Sequence, residues 1–169
     1  MANREDEVYL TEGTPEDAQA IVRLIDQLET ETDSIEFDPT IHQLELKLVQ
    51  QNLALIQQSP TNFLLLAKLG DAPIGLLTIV ETDAKKGQAE LGVGVLEKYW
   101  HNGIGTLLVD EALYWAKNYS SLSTIWLDVL TDNEPAIHLY YEKMGFTTKK
   151  APIKDDQGRS LKRMARKLS

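Results

Sequence analysis

The segment Glu90-Leu-Gly-Val-Gly-Val-Leu-Glu-Lys-Tyr-Trp-His-Asn-Gly-Ile-Gly-Thr106 decides how the rest of the chain is read. Its first residues alternate with the period of a strand. Ala89, Leu91, Val93 and Val95 point one way, and Glu90, Gly92 and Gly94 the other. A strand face with one carboxylate and two glycines leaves room for something to lie close to the backbone. After a short polar turn the chain enters an amphipathic helix at Gly103-Ile104-Gly105-Thr106. A helix start offers unpaired N–H groups and the positive end of the macrodipole to an anion. Gly103 and Gly105 carry no Cβ, so a phosphate can approach the backbone there. The expectation is a diphosphate cradle, with the other elements placing a substrate beside it.

Upstream, Val8 to Thr11 reads as a short strand. Thr14-Pro15-Glu16-Asp17 reads as a helix start, followed by Ala18, Ile21, Val22, Ile25 and Leu28 at helical spacing. The polar stretch Thr30 to Thr40 is irregular. A second helix is expected from about Ile41 to Gln57, stopped by Ser59-Pro60. Phe63 to Leu69 and Ile74 to Glu81 form a hairpin around Gly70-Asp71-Ala72-Pro73, and Gln88 to Val95 follows as a third strand. Downstream, the helix from Gly103 sets Ile104, Leu107, Leu108, Ala112 and Trp115 on one face. Thr124 to Leu130 is a strand. The last helix starts at Asp132-Asn133-Glu134-Pro135 and ends at Gly145. Phe146 to Pro152 and Leu161 to Leu168 close the chain as strands. Hairpins imply antiparallel pairing, and the strand–helix–strand unit Gln88 to Leu130 implies a locally parallel pair.

A chain of 169 residues with 43% hydrophobic content suits one domain with its own core, spanning residues 1–169. With no cysteine there is no disulfide, thiolate metal site or cysteine nucleophile. His42, His101 and His138 show no ligand spacing, so no metal is expected. The acidic start is unlike a signal peptide, and no apolar run is long enough to span a bilayer, so the expected location is the cytoplasm. A net charge of −9 argues against nucleic acid as a partner. The charge is uneven: thirteen acids lie between Glu5 and Glu45, and eight bases between Lys149 and Lys167. The acidic half is either a solvated surface or an attractor for a cationic substrate.

Two blocks of this sequence resemble the GNAT superfamily of N-acetyltransferases. The family turn Gln/Arg-x-x-Gly-x-Gly/Ala is similar to Trp100-His101-Asn102-Gly103-Ile104-Gly105, with Trp100 where Gln or Arg is usual. The family pattern Asn-x-x-Ala-Ile-x-Leu-Tyr-Glu-Lys-x-Gly-Phe resembles Asn133 to Phe146, with one extra residue before Gly145. The resemblance implies a mixed α/β fold. Its sheet would be mostly antiparallel, with six to seven strands, helices on both faces and a splayed parallel pair. It also implies acetyl-CoA as co-substrate. The backbone around Gly94, at Val93 and Val95, would pair with the pantetheine arm. Amides of His101, Asn102, Gly103, Ile104, Gly105 and Thr106 would hold the pyrophosphate, with the Thr106 hydroxyl assisting. Asn133 would bond the arm from the other side, and a tyrosine would protonate the departing thiolate. The implied partner is a small-molecule or protein amine, with no membrane and with a homodimer allowed.

Which tyrosine serves is a question the residues address. Asn133, Ala136 and Tyr140 share one helical face, while Ile137, Tyr141 and Met144 form a neighbouring face apolar enough for core. That favours Tyr140 as acid, with Tyr141 as the alternative, and a local bulge in the helix would absorb the extra residue. A bulge at Gly92 or Gly94 would expose an N–H to the thioester oxygen. Glu90 is either the base that deprotonates the amine or a solvated strand carboxylate. Glu31, Asp33 and Glu36 in the acidic stretch are candidate substrate residues. Trp100 is either a lid or a packing residue, and Trp115 and Trp126 fit core positions. The function that follows is acetyl transfer from acetyl-CoA to a primary amine by direct attack in a ternary complex. The alternative is a non-catalytic acyl-CoA-binding regulatory protein. No Gly-x-Gly-x-x-Gly or Gly-Lys-Ser/Thr run supports a nucleotide fold.

Overall fold

The computed structural model describes residues 7–31 and 45–168. Seven strands join one sheet in the order β1-β2-β3-β4-β5-β7-β6. They are β1 (Val8–Glu12), β2 (Phe63–Leu69), β3 (Ala72–Asp83), β4 (Gln88–Val95), β5 (Thr124–Leu130), β6 (Thr147–Lys154) and β7 (Ser160–Lys167). The helices are α1 (Ala18–Glu31), α2 (Leu46–Gln58), α3 (Ile104–Tyr119) and the short α4 (Glu134–His138). Every neighbouring pair is antiparallel except β4 and β5. The mixed sheet and the element order match the sequence reading. The second helix starts at Leu46, and residues 41–44 of its expected span lie outside the described residues.

Alternation along β3 to β5 sorts the layers. Gly75 faces α3 so closely that a Cβ would sit 3.3 Å from Leu108 Cδ1. Leu77, Ile79, Ala89 and Leu91 lie on that same face, and so do Ile125, Leu127 and Val129, all buried. On the other face Leu64 lies beneath Gly13 and Ile21 of α1. Arg166 pairs with Ile125, shares the α3 face, and donates to the Met144 carbonyl at 2.9 Å. The segment after α4 therefore packs on the α3 side of the sheet.

Three local expectations need correction. Leu107 is exposed, because α3 presents Ile104, Leu108, Ala112 and Ala116 to the sheet instead. No bulge occurs at Gly92 or Gly94: the β3–β4 register runs unbroken from Glu81↔Ala89 to Gly75↔Val95. Trp126 is not core. It falls in the outward set with Asp128, while Ile125, Leu127 and Val129 take the buried side.

Candidate functional site

The opening in the sheet arises where one ladder stops. β4 and β5 pair only over Gln88↔Thr124, Ala89↔Ile125 and Glu90↔Trp126. Beyond that point β4 keeps pairing with β3 to Val95, and β5 keeps pairing with β7 to Leu130. The two parallel strands diverge, and Glu90 and Trp126 sit at the apex of the cleft between them. Leu96 N–H donates to the Ile74 carbonyl at 2.9 Å. Val95↔Gly75 is therefore a non-hydrogen-bonded pair, and the N–H and C=O groups of Val95 and Val93 point away from β3 into the cleft. This is an open strand edge built to take one more extended chain.

Each diverging strand feeds a helix at the mouth. After β4, one 3₁₀ turn (Glu97–Tyr99) and His101 at φ 65° bring the chain to Gly103, whose φ of 76° makes it the left-handed N-cap of α3. Asn102 Nδ2 donates to the carbonyls of Tyr99 (3.0 Å) and Trp100 (3.1 Å). Its side chain thus holds the turn in shape. A Cβ on Gly103 or Gly105 would meet nothing within 4 Å, so space stands open over the first amides of α3. After β5, Asn133 Oδ1 accepts from Ala136 N–H at 3.3 Å and caps α4. The glycine-lined amides and the strand edge fit an extended chain ending in a diphosphate.

Trp100 has a definite role in the fold. Its indole N–H donates to the Val95 carbonyl at 2.6 Å, so that cleft-facing acceptor is already engaged. The Val93 groups and the Val95 N–H remain directed at the cleft. Trp100→Phe keeps a ring and loses the donor. It is expected to lower the unfolding free energy by roughly 0.5–1.5 kcal/mol, read from the urea midpoint.

The tyrosine pair is split by a π turn. Leu139–Lys143 is π-helical, and Met144 N–H reaches back to the Leu139 carbonyl at 3.1 Å. This is the bulge that takes up the extra residue. It rotates Tyr141 out to 60% exposure, so Tyr141 is not the core residue its spacing suggested, and it leaves Tyr140 at 8%. The Tyr140 ring packs edge-on against Phe146 at 5.6 Å. Burial pushes its phenol up to about 12. The hydroxyl makes no hydrogen bond to a described residue, and desolvation alone accounts for the rise.

Glu90 lies on the opposite, α1-facing side of the sheet, in register with Val80 and Trp126. The residue as a whole is exposed, but partial desolvation of its carboxyl pushes it above the usual range; Asp128 adds to the rise and Arg163 opposes it. Glu31 accepts from Glu97 N–H at 2.7 Å and ties the end of α1 to the turn after β4. Asp33 and Glu36 lie outside the described residues. Sequence reasoning missed Trp126, Asp128 and Arg163. The alternation of β5 already places the first two outward, but only the β5–β7 register brings Arg163 to Asp128.

A mixed sheet opened between two parallel strands, with a glycine-started helix at its mouth, defines an acetyltransferase fold. The model of the acetyltransferase (GNAT) family matches residues 21–146, and the chain belongs to that family. A GNAT-family acetyltransferase from Streptococcus pneumoniae superposes with a TM-score of 0.84 at 27% identity, covering 95% of this chain and 99% of that one. A putative acetyltransferase from Salmonella typhimurium, solved with its cofactor acetyl-CoA, shares the fold at TM-score 0.76 and 16% identity, covering 96% and 94%. An N-alpha-acetyltransferase of Sulfurisphaera tokodaii is 38% identical over 65 residues, a span that is 38% of each chain.

Proposed function

We propose that this protein transfers an acetyl group from acetyl-CoA to a primary amine by direct attack within a ternary complex. The observation that carries the reading is the divergence of β4 from β5 after Glu90↔Trp126, with α3 beginning at the open end of β4. Acetyl-CoA supplies the thioester. The amides of Ile104, Gly105 and Thr106 would hold its pyrophosphate, and the cleft-facing groups of Val93 and the Val95 N–H would pair with its arm. An arm held so runs from the helix start toward the apex of the cleft.

Glu90 and Tyr140, on opposite faces of the sheet, would then act on the two reactants. Glu90 accepts the proton of the incoming ammonium on the α1 side. The neutral amine nitrogen then bonds to the carbonyl carbon, the carbon–sulfur bond breaks, and the sulfur leaves as a thiolate that takes up the second proton shed by the nitrogen. Tyr140 meets the sulfur from the α3 side with its neutral hydroxyl. Holding both reactants in one cleft is the largest share of the acceleration. The acceptor enters from the α1 side. The acidity of the N-terminal half favours a cationic small amine.

Titration calorimetry is expected to show saturable acetyl-CoA binding, and thiol release is expected to rise with at least one member of a panel of amines. Binding without thiol release from any small amine or peptide would point to the non-catalytic acyl-CoA-binding protein. No binding at millimolar acetyl-CoA would overturn both.

A further inference from the structure

We infer that Asp128 and Arg163, forked together and stacked on Trp126 beside Glu90, are positioning residues that act as a matched pair on Glu90 in the proposed proton transfer. This inference rests on the reading of Glu90 as the base for the acceptor amine. The geometry is a row of side chains on the outer face of the sheet, next to the cleft apex. Trp126 is in register with Glu90. Its indole reaches over β4 to β3 and donates to Thr82 Oγ1 at 3.0 Å. The indole therefore crosses β4 on the face that carries Glu90. Arg163 lies over the same ring, its guanidinium carbon 4.1 Å from the centroid. It is also bidentate to Asp128, with Nε to Oδ1 and Nη2 to Oδ2 both at 2.9 Å. The stack and the fork fix the guanidinium in one place.

The groups facing Glu90 from each neighbouring strand can be named. On β3 they are Val80, Thr78 and Thr82, none of them charged. On β5 they are Trp126 and Asp128, on β7 Arg163, and on β6, one strand further, Lys150 in register with Arg163. Among the described residues, Asp128 and Arg163 act on the Glu90 carboxyl through charge, with opposite signs. Their effects oppose each other while both are present. Partial desolvation of its carboxyl then leaves Glu90 a stronger base than a fully solvated carboxylate. That is useful for the proposed step, because an ammonium has a far higher pKa than a carboxyl, and each rise in the carboxyl's proton affinity narrows the gap.

The pair makes a prediction that a merely structural ion pair does not. Arg163→Met leaves Asp128 facing Glu90 alone and is expected to move the Glu90 midpoint to higher pH. Asp128→Asn leaves the cation and is expected to move it lower. The double variant and Arg163→Lys are expected to return close to wild type. The midpoint is read directly from the Glu90 side-chain carbon by NMR on the free protein. It is read again from the acid limb of kcat at saturating acetyl-CoA and amine. At pH 6, Arg163→Met should lose roughly three- to tenfold more of its plateau kcat than wild type. Far-ultraviolet circular dichroism confirms that each variant is folded. Opposite displacements of the NMR midpoint support the inference. Displacements of the same sign, or none in folded variants, overturn it. Opposite NMR displacements with an unmoved kinetic limb keep the pair and overturn Glu90 as the base.

Discussion

Tyr140→Phe is expected to lower kcat by about 10²-fold, at the small end of the range for a lost general acid, while leaving acetyl-CoA affinity unchanged. The argument for the small end comes from the environment of the phenol. Burial pushes it up to about 12, whereas an ordinary alkyl thiol titrates near about 8.5. Full transfer of the phenolic proton to a free thiolate is therefore uphill by roughly 5 kcal/mol. In the proposed reaction Tyr140 would do most by donating a hydrogen bond as negative charge collects on sulfur, with the proton passing late. Tyr141, at 60% exposure, points away from the core. Tyr141→Phe is expected to change kcat less than about twofold. If Tyr141→Phe carries the loss instead, the assignment of the acid is wrong.

The same burial has a consequence for stability, and its sign follows from linkage. The folded phenol titrates above its unfolded value of about 10, so its contribution is complete below pH 10 and is lost as pH rises toward 12. In that window wild-type stability should fall by about 1.4 kcal/mol per pH unit from this residue alone, and Tyr140→Phe should remove that slope. Denaturant melts between pH 9 and 11 measure both. Turnover by the wild type should not decline through loss of the Tyr140 proton anywhere below about pH 11.

The strands and helices were legible because their periods are clean. Gln88–Val95 and Thr124–Leu130 alternate over their whole length, and Gly103 and Gly145 stand where left-handed backbone is needed. What was not legible depends on partners distant in sequence. Nothing in β4 says that its ladder with β5 ends after Glu90; that follows from how β3 and β7 hold the two strands. The glycines at 92 and 94 suggested a bulge, but the opening comes from lost pairing and not from an extra residue. Helical spacing on a uniform 3.6 period placed Tyr141 in the core. The π turn at Leu139–Lys143 resets that phase and leaves Tyr140 inside. The aromatic character of Trp126 suggested core, while its position in the alternation pointed outward, and the alternation prevailed.

Gly105→Val is expected to leave the fold intact and to weaken acetyl-CoA binding by about 10²-fold or more. The position separates the two effects. Gly105 is the second residue of α3 and keeps ordinary helical backbone, and a Cβ there meets no protein atom within 4 Å. Valine has somewhat higher helix propensity than glycine, so the unfolding free energy should stay within about 0.5 kcal/mol of wild type. The branched side chain would instead fill the open space over the first amides of α3, where the pyrophosphate is proposed to lie. Forcing the phosphates off two charged hydrogen bonds, at about 1.5–3 kcal/mol each, accounts for a loss of that size. Gly103→Val is a poorer probe. At φ 76° any Cβ is strained, so lost binding there could follow from a distorted turn. Titration calorimetry with acetyl-CoA, run beside urea melts, reads both quantities for Gly105→Val. A folded Gly105→Val protein that binds acetyl-CoA as tightly as wild type would place the pyrophosphate elsewhere and remove the helix start from the site.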